Sequence, residues 1–199
     1  MKRIVLTGGP GAGKTVISCR LAADHPDRFV CVPEAATQVY AQLQTRWDKL
    51  SLAGRFDAQR RIYHLQIAQE QRLAQDYPNH ILLLDRGTID GAAYWPDGPD
   101  EYWRDLGTNL DQELTRYDAV IWMETAAALG HHFYDGDNSN TCRFEDAGAA
   151  IESGKLLSRL WHRHPKLTHL PAYPSINDKI AAVHAQVTGL FSKQGSQNS

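Results

Sequence analysis

The stretch Arg3-Ile4-Val5-Leu6-Thr7-Gly8-Gly9-Pro10-Gly11-Ala12-Gly13-Lys14-Thr15 decides the fold. Its first five residues are mostly apolar or β-branched and stop at two glycines, which predicts a short buried strand. Gly8, Gly9, Pro10, Gly11, Ala12, Gly13, Lys14 and Thr15 then follow GxxxxGK[ST]. Glycines let the backbone curl and turn its N–H groups inward as an anion nest. A helix starting near Lys14 points its positive end at the same place. Lys14 is suited to neutralise β- and γ-phosphates, and the Thr15 hydroxyl to hold Mg²⁺.

Outward from this loop, apolar runs and helical patterns alternate. A helix is predicted from Lys14 to about Asp24, with Ile17 and Leu21 on one face and Pro26 closing the segment. Phe29–Val32, Ile81–Leu84 and Ala119–Met123 read as further buried strands. Residues 35–47 and about 55–75 read as helices. The second carries Phe56, Tyr63 and Ile67 at helical spacing, with Gln and Arg on its other side. Ala147, Ala150, Ile151, Leu157 and Trp161 share one helical face, as do Ile176, Ile180, Val183, Val187 and Leu190. Ser175 and Asp178 suit the start of that last helix. Uninterrupted apolar strands alternating with helices imply a parallel sheet covered on both faces. Residues 94–105 and 130–143 read as long loops, and 192–199 as a disordered tail, leaving one domain over 1–191.

The bulk composition narrows the partners. At 42% hydrophobic and 22% charged, the chain is globular and of single-domain size. The net charge of −2 and the absence of a basic stripe argue against nucleic acid. No stretch reaches the roughly 18 apolar residues of a membrane span. Ile4–Leu6 is too short for a signal h-region. Three cysteines without a CxxC pair suit a reducing, cytoplasmic setting rather than a disulfide framework. His131-His132 and His162/His164 lack a convincing ligand spacing and read as surface residues. Arg55, Arg60 and Arg61 suit either an anionic substrate or a solvated helix face.

Ligands of open parallel sheets sit beyond the carboxyl ends of the strands. Glu34 follows the second strand, as a general base on an acceptor hydroxyl, a holder of a Mg²⁺-bound water, or a carboxylate at a helix start. Asp85 ends the third, as a Mg²⁺ ligand through water or an N-cap. Arg86 is placed to meet the substrate, and Asp90, one turn on, to orient it. Arg143 lies in a polar loop suited to a lid, as an arginine finger or a surface residue.

These elements together resemble the small AAA-type ATP-binding domain family. The matching residues are GGPGAGKT, Val32-Pro33-Glu34-Ala35-Ala36, Leu84-Asp85-Arg86-Gly87 with Asp90, Arg55-Phe56-Asp57 with Gln59, Tyr117-Asp118, and Arg143-Phe144-Glu145. That family is related to the nicotinamide riboside kinase domain and, more distantly, to nucleoside and thymidylate kinases. The resemblance implies a three-layer P-loop fold with a five-stranded parallel sheet, Mg²⁺, ATP and a lid. It places Glu34 as base, with Asp85 and Arg86 meeting metal and substrate. The acceptor implied is a nucleoside-like small molecule with a hydroxyl or phosphate; the rival reading is an NTPase switch or regulatory module. No Asn-Lys-x-Asp guanine signature occurs, which favours ATP over GTP. The sequence leaves a homodimer open.

Overall fold

The computed structural model describes residues 1–130 and 147–192. The expected lid with Arg143, the pair His131-His132 and the tail beyond Ser192 lie outside them. Five strands form one parallel sheet in the order β2-β3-β1-β4-β5. They are β1 (Lys2–Thr7), β2 (Phe29–Val32), β3 (Ile81–Asp85), β4 (Ala119–Met123) and β5 (Leu167–Leu170). Among the described residues, seven α-helices accompany them: α1 (Lys14–Asp24), α2 (Ala35–Leu43), α3 (Leu52–Asp76), α4 (Pro99–Leu106), α5 (Leu110–Leu114), α6 (Ala147–Trp161) and α7 (Ile176–Ser192).

The pleat divides the apolar runs between two layers. Ile4, Leu6, Leu83, Ile121 and Met123 pack with Ile17 and Leu21 of α1 and Val183 and Val187 of α7. Val5, Leu82, Leu84 and Val120 face the other way, toward Tyr63 of α3, Tyr102 of α4 and Trp161 of α6. Each fully buried aliphatic side chain contributes about 1.5–3 kcal/mol. An exposed pair such as Arg20–Asp24, at 2.8 Å, contributes about 1 kcal/mol at most. The two-sided core therefore dominates the stability, and the three-layer α/β expectation holds.

Several elements depart from the sequence reading. Residues 94–105 are not a continuous loop: a 3₁₀ segment runs from Thr88 to Tyr94, and Pro99–Leu106 forms α4. Pro99 occupies the first turn, where a missing N–H costs nothing, with Asp100 and Glu101 beside it at the positive helix end. Tyr102 and Trp103 are buried under this helix. The helix predicted over 35–47 stops at Leu43, where Gln44 turns left-handed. Short α5 and the edge strand β5, only partly buried, left no periodic signal. His164 is buried rather than on the surface. Its ring bonds the Tyr117 carbonyl at 3.0 Å and accepts from the Lys166 N–H at 3.1 Å. On α3 the glutamine side is also buried, at Gln59, Gln66 and Gln69.

Candidate active site

The phosphate loop spans the carboxyl end of β1 and the start of α1. Gly8 has φ 139°, and a Cβ there would lie 2.2 Å from the Met123 carbonyl oxygen of β4. Gly13 caps α1 with φ 85° in the left-handed region. Only glycine meets both demands without strain. The neighbouring strand end braces the loop: Thr125 Oγ1 donates to the Pro10 carbonyl at 2.6 Å, and Ala126 N–H to Gly11 at 3.3 Å. Lys14 Nζ donates to the Gly8 and Gly9 carbonyls at 3.0 Å each. Burial lowers its pKa to about 8, helped by Arg86 and opposed by the nearby carboxylates.

Asp85, at the end of β3, is fully buried. It caps no helix; its Oδ2 accepts from the Thr15 hydroxyl across the sheet. Its Oδ1 is buried without a hydrogen-bond partner. Burial and then the Glu34 charge raise its pKa to about 6. An orphaned carboxylate oxygen is costly unless something is held there. A hard cation beside Thr15 Oγ1 and Asp85 meets that need, so the donor set fits Mg²⁺, which usually takes few protein ligands plus phosphates and water. No group of three or more His, Cys, Asp or Glu among the described residues would hold a metal by itself.

Glu34 stands at the N-cap of α2 but makes no side-chain cap bond. Its Oε1 accepts from Arg86 Nε at 2.5 Å and its Oε2 from the Thr37 hydroxyl at 2.6 Å. Burial would raise its pKa, but Arg86, Lys14 and Thr37 together hold it below the ordinary carboxylate range. Glu34 is therefore ionised at neutral pH. Arg86 Nη1 also donates to Asp90 at 3.2 Å. Asp90 is fixed in turn by the Thr7 hydroxyl at 2.9 and 3.0 Å and by the Trp161 indole N–H at 2.6 Å. Arg86 has φ 75°, a left-handed conformation costing about 1–2 kcal/mol for a residue with a Cβ. Its N–H bonds the Leu6 carbonyl and its own carbonyl accepts from Gln66, so the surroundings enforce the turn that aims the guanidinium.

One cleft of about 1230 Å³ is lined by Lys14, Thr15, Glu34, Arg86 and Asp90. Its floor is the loop from Pro10 to Thr15 with Glu34, Arg86 and Asp90. Tyr173, Ile176 and Lys179 also line it, as do Tyr40, Gln59, Tyr63 and Tyr94. Thr88 is held by the Tyr117 hydroxyl at 2.8 Å and by Glu113 at 2.7 Å, which pins the segment behind Arg86. Arg55, Arg60 and Arg61 do not line the cleft. Arg60 pairs with Asp105 and Arg61 with Asp57, while Arg55 lies 5.1 Å from the Trp47 ring centre. Thr7, Trp161, Gln59 and Lys179 escaped the sequence reading as site residues. Thr7 carried a signal as the last strand residue before the glycines, and Gln59 as one of the residues matching the family pattern.

Pro10–Thr15, Glu34 and Arg86 thus line one cleft, Asp85 reaches it only through its bond from Thr15, and Arg143 lies outside the described residues. No described helix is long and apolar enough to cross a membrane. No curated protein sequence matches the chain. The profile of the family described as AAA domain matches residues 3–172. With a nucleotide-binding P-loop at the ends of a five-stranded parallel sheet, the chain belongs to the AAA domain family.

Proposed function

We propose that the protein is a small-molecule kinase that uses Mg²⁺-ATP to phosphorylate an acceptor. The observation that carries this reading is Glu34: an ionised carboxylate, held by Arg86, opening onto the same cleft as the phosphate loop. A carboxylate there suits removal of a proton from an acceptor hydroxyl; in the NTPase-switch reading it would act on water instead.

In this scheme the N–H groups of Gly8–Thr15 and the Lys14 ammonium hold the β- and γ-phosphates. Thr15 and Asp85 would hold the cation, which would shield charge on the transferred group. Glu34 takes the proton of the acceptor hydroxyl as its oxygen bonds the γ-phosphorus. The bond from that phosphorus to the β–γ bridging oxygen breaks, and ADP leaves. Arg86 keeps Glu34 in place and adds positive charge beside the reacting oxygens.

The test compares ATP consumption with and without a panel of nucleosides, nucleotides and sugars. The kinase reading expects at least one acceptor to raise turnover well above the basal rate. If every acceptor leaves a slow basal rate unchanged, the switch reading replaces it.

A further inference from the structure

Two thiols lie against each other behind the phosphate loop, and the phosphoryl-transfer scheme uses neither. Cys19 is exposed on α1, and Cys31 is partly buried on the edge strand β2. Their Sγ atoms are 3.5 Å apart. Phe29 of β2 packs into the layer of α1 and α7, and Cys31, two residues on, shares that face of the strand. Cys31 Sγ also donates to the hydroxyl of the buried Ser18 at 3.4 Å, and Ser18 Oγ donates to the Thr15 carbonyl at 3.1 Å. Cys142 lies outside the described residues.

Two sulfurs in contact on different elements are placed for thiol–disulfide exchange. Burial pushes the Cys31 thiol up to about 12 against the Ser18 hydrogen bond, with Cys19 adding to the rise. The thiolate is the attacking form, so the exposed Cys19 takes the first step. Its sulfur bonds one sulfur of a small disulfide such as oxidised glutathione, whose own S–S bond breaks and releases one thiolate. Cys31 then gives up its proton, bonds Cys19 Sγ and expels the second thiolate. The two cysteine protons end on the two released thiols. The pair loses two electrons, and the small disulfide gains them. Transient pairs of this kind are the form that disulfides take in reducing compartments.

The pair is wired to the phosphate loop at both ends. Thr15 lies four residues before Cys19, on the same face of α1. Thr15 Oγ1 bonds Asp85, and Glu34 follows Cys31 by three residues. A disulfide needs its sulfurs about 2.05 Å apart, so closure from 3.5 Å shortens this contact by roughly 1.5 Å and draws α1 toward β2. It also removes the S–H that Ser18 accepts, which loosens the hydroxyl behind Thr15. We propose that Cys19 and Cys31 form a redox-modification site, which closes to a reversible disulfide and thereby weakens nucleotide binding at the phosphate loop. The inference rests on the phosphate loop and is independent of what accepts the phosphate.

The test uses the full chain carrying Cys142→Ser, which leaves Cys19 and Cys31 as its cysteines. Protein equilibrated with reduced and oxidised glutathione is alkylated, cut with trypsin and analysed by mass spectrometry. Cleavage after Lys14, Arg20, Arg28 and Arg46 places Cys19 in peptide 15–20 and Cys31 in peptide 29–46. Oxidation should join these two peptides, retain no glutathione and reverse with dithiothreitol. Calorimetry should show Mg²⁺-ADP bound about fivefold or more weakly by the oxidised protein, the lower end of an ordinary coupling between sites. By reciprocity, saturating Mg²⁺-ADP should shift the same equilibrium toward the thiols. Cys19→Ser, at an exposed position, should bind nucleotide equally at every glutathione ratio, with melting curves verifying the fold. The inference is overturned if the thiols resist oxidation, if glutathione stays on Cys19 without the joined peptides, or if the cross-linked protein binds Mg²⁺-ADP as tightly as the reduced one.

Discussion

Arg86 Nε and Glu34 Oε1 meet at 2.5 Å across the carboxyl ends of neighbouring strands β3 and β2. The sheet order brings these two residues, 52 positions apart, side by side. The left-handed backbone at Arg86 then points the guanidinium back along the sheet edge, and Asp90 holds it from the other side. The result is a carboxylate kept ionised in a largely enclosed site, the state a base must have before it accepts a proton.

Glu34→Gln should therefore cut acceptor-dependent kcat by about 10²- to 10⁴-fold, the usual worth of a positioned base. The ATP dissociation constant should stay within about threefold, because the phosphate loop is untouched. Steady-state kinetics and equilibrium nucleotide binding measure the two effects. Loss of both in equal measure would remove Glu34 from that role.

Lys14→Ala should weaken triphosphate binding by about tenfold or more, the value of a charged hydrogen bond. With its pKa lowered to about 8 by burial, Lys14 is about half neutral at pH 8 in the free protein. A bound triphosphate favours the ammonium, so binding should take up protons as pH rises from 7 to 8.5. Calorimetry in buffers of different ionisation enthalpy reads this uptake, and Lys14→Arg, which does not titrate there, should abolish it.

Asp85 should act against stability while serving function. Its folded pKa of about 6 lies above the ordinary Asp value of 3.8, so the folded state binds its proton more tightly. That contribution is present below about pH 4 and is lost as pH rises through 6, leaving a cost of about 1–3 kcal/mol at pH 8. Asp85→Asn, which keeps an oxygen for the Thr15 hydroxyl, should melt several degrees higher at pH 8. The advantage should fade at pH 4.5, and Mg²⁺-dependent turnover should be lost. A lower melting temperature at pH 8 would show that the carboxylate stabilises the fold.

Gly8→Ala should fail structurally before it fails chemically. The added Cβ would sit 2.2 Å from the Met123 carbonyl, at a φ that disfavours alanine. Either the loop or β4 must shift, at a cost of about 3 kcal/mol or more. Thermal melts should show the loss, and nucleotide binding should fall with it.

Trp161→Phe removes the indole N–H that reaches Asp90 while keeping most of the apolar ring in the core. Asp90 then loses one of its three supports, and the orientation of Arg86 loosens. Acceptor-dependent kcat should fall about threefold to tenfold, with nucleotide affinity little changed. An unchanged kcat would show that Thr7 and Arg86 position Asp90 without the indole.

Most of the strand and helix pattern was legible because it is local. Four strands are runs of nearly uninterrupted apolar residues, and α1, α6 and α7 carry clear helical periodicity. β5 was not legible, since it is a short edge strand with His169 exposed. Nor was α4, because Pro and Gly mark a helix start as readily as a loop. The buried side of α3 was misread for a related reason: Gln59, Gln66 and Gln69 look like solvent residues. In the fold the first two line the cleft, and Gln66 bonds the buried Glu70.

The sequence by itself determined the phosphate loop and the acidic and basic residues that follow β2 and β3. Anion binding by backbone N–H groups depends on conformation within eight consecutive residues, and GxxxxGK[ST] encodes that conformation directly. Only the tertiary structure decided how those residues are partnered. Thr15 meets Asp85, Glu34 meets Arg86, and Trp161 reaches Asp90 from 71 residues away. Such contacts depend on the order of strands in the sheet and on which helix face turns inward. Both are set by the burial of the whole core, and no single segment records them.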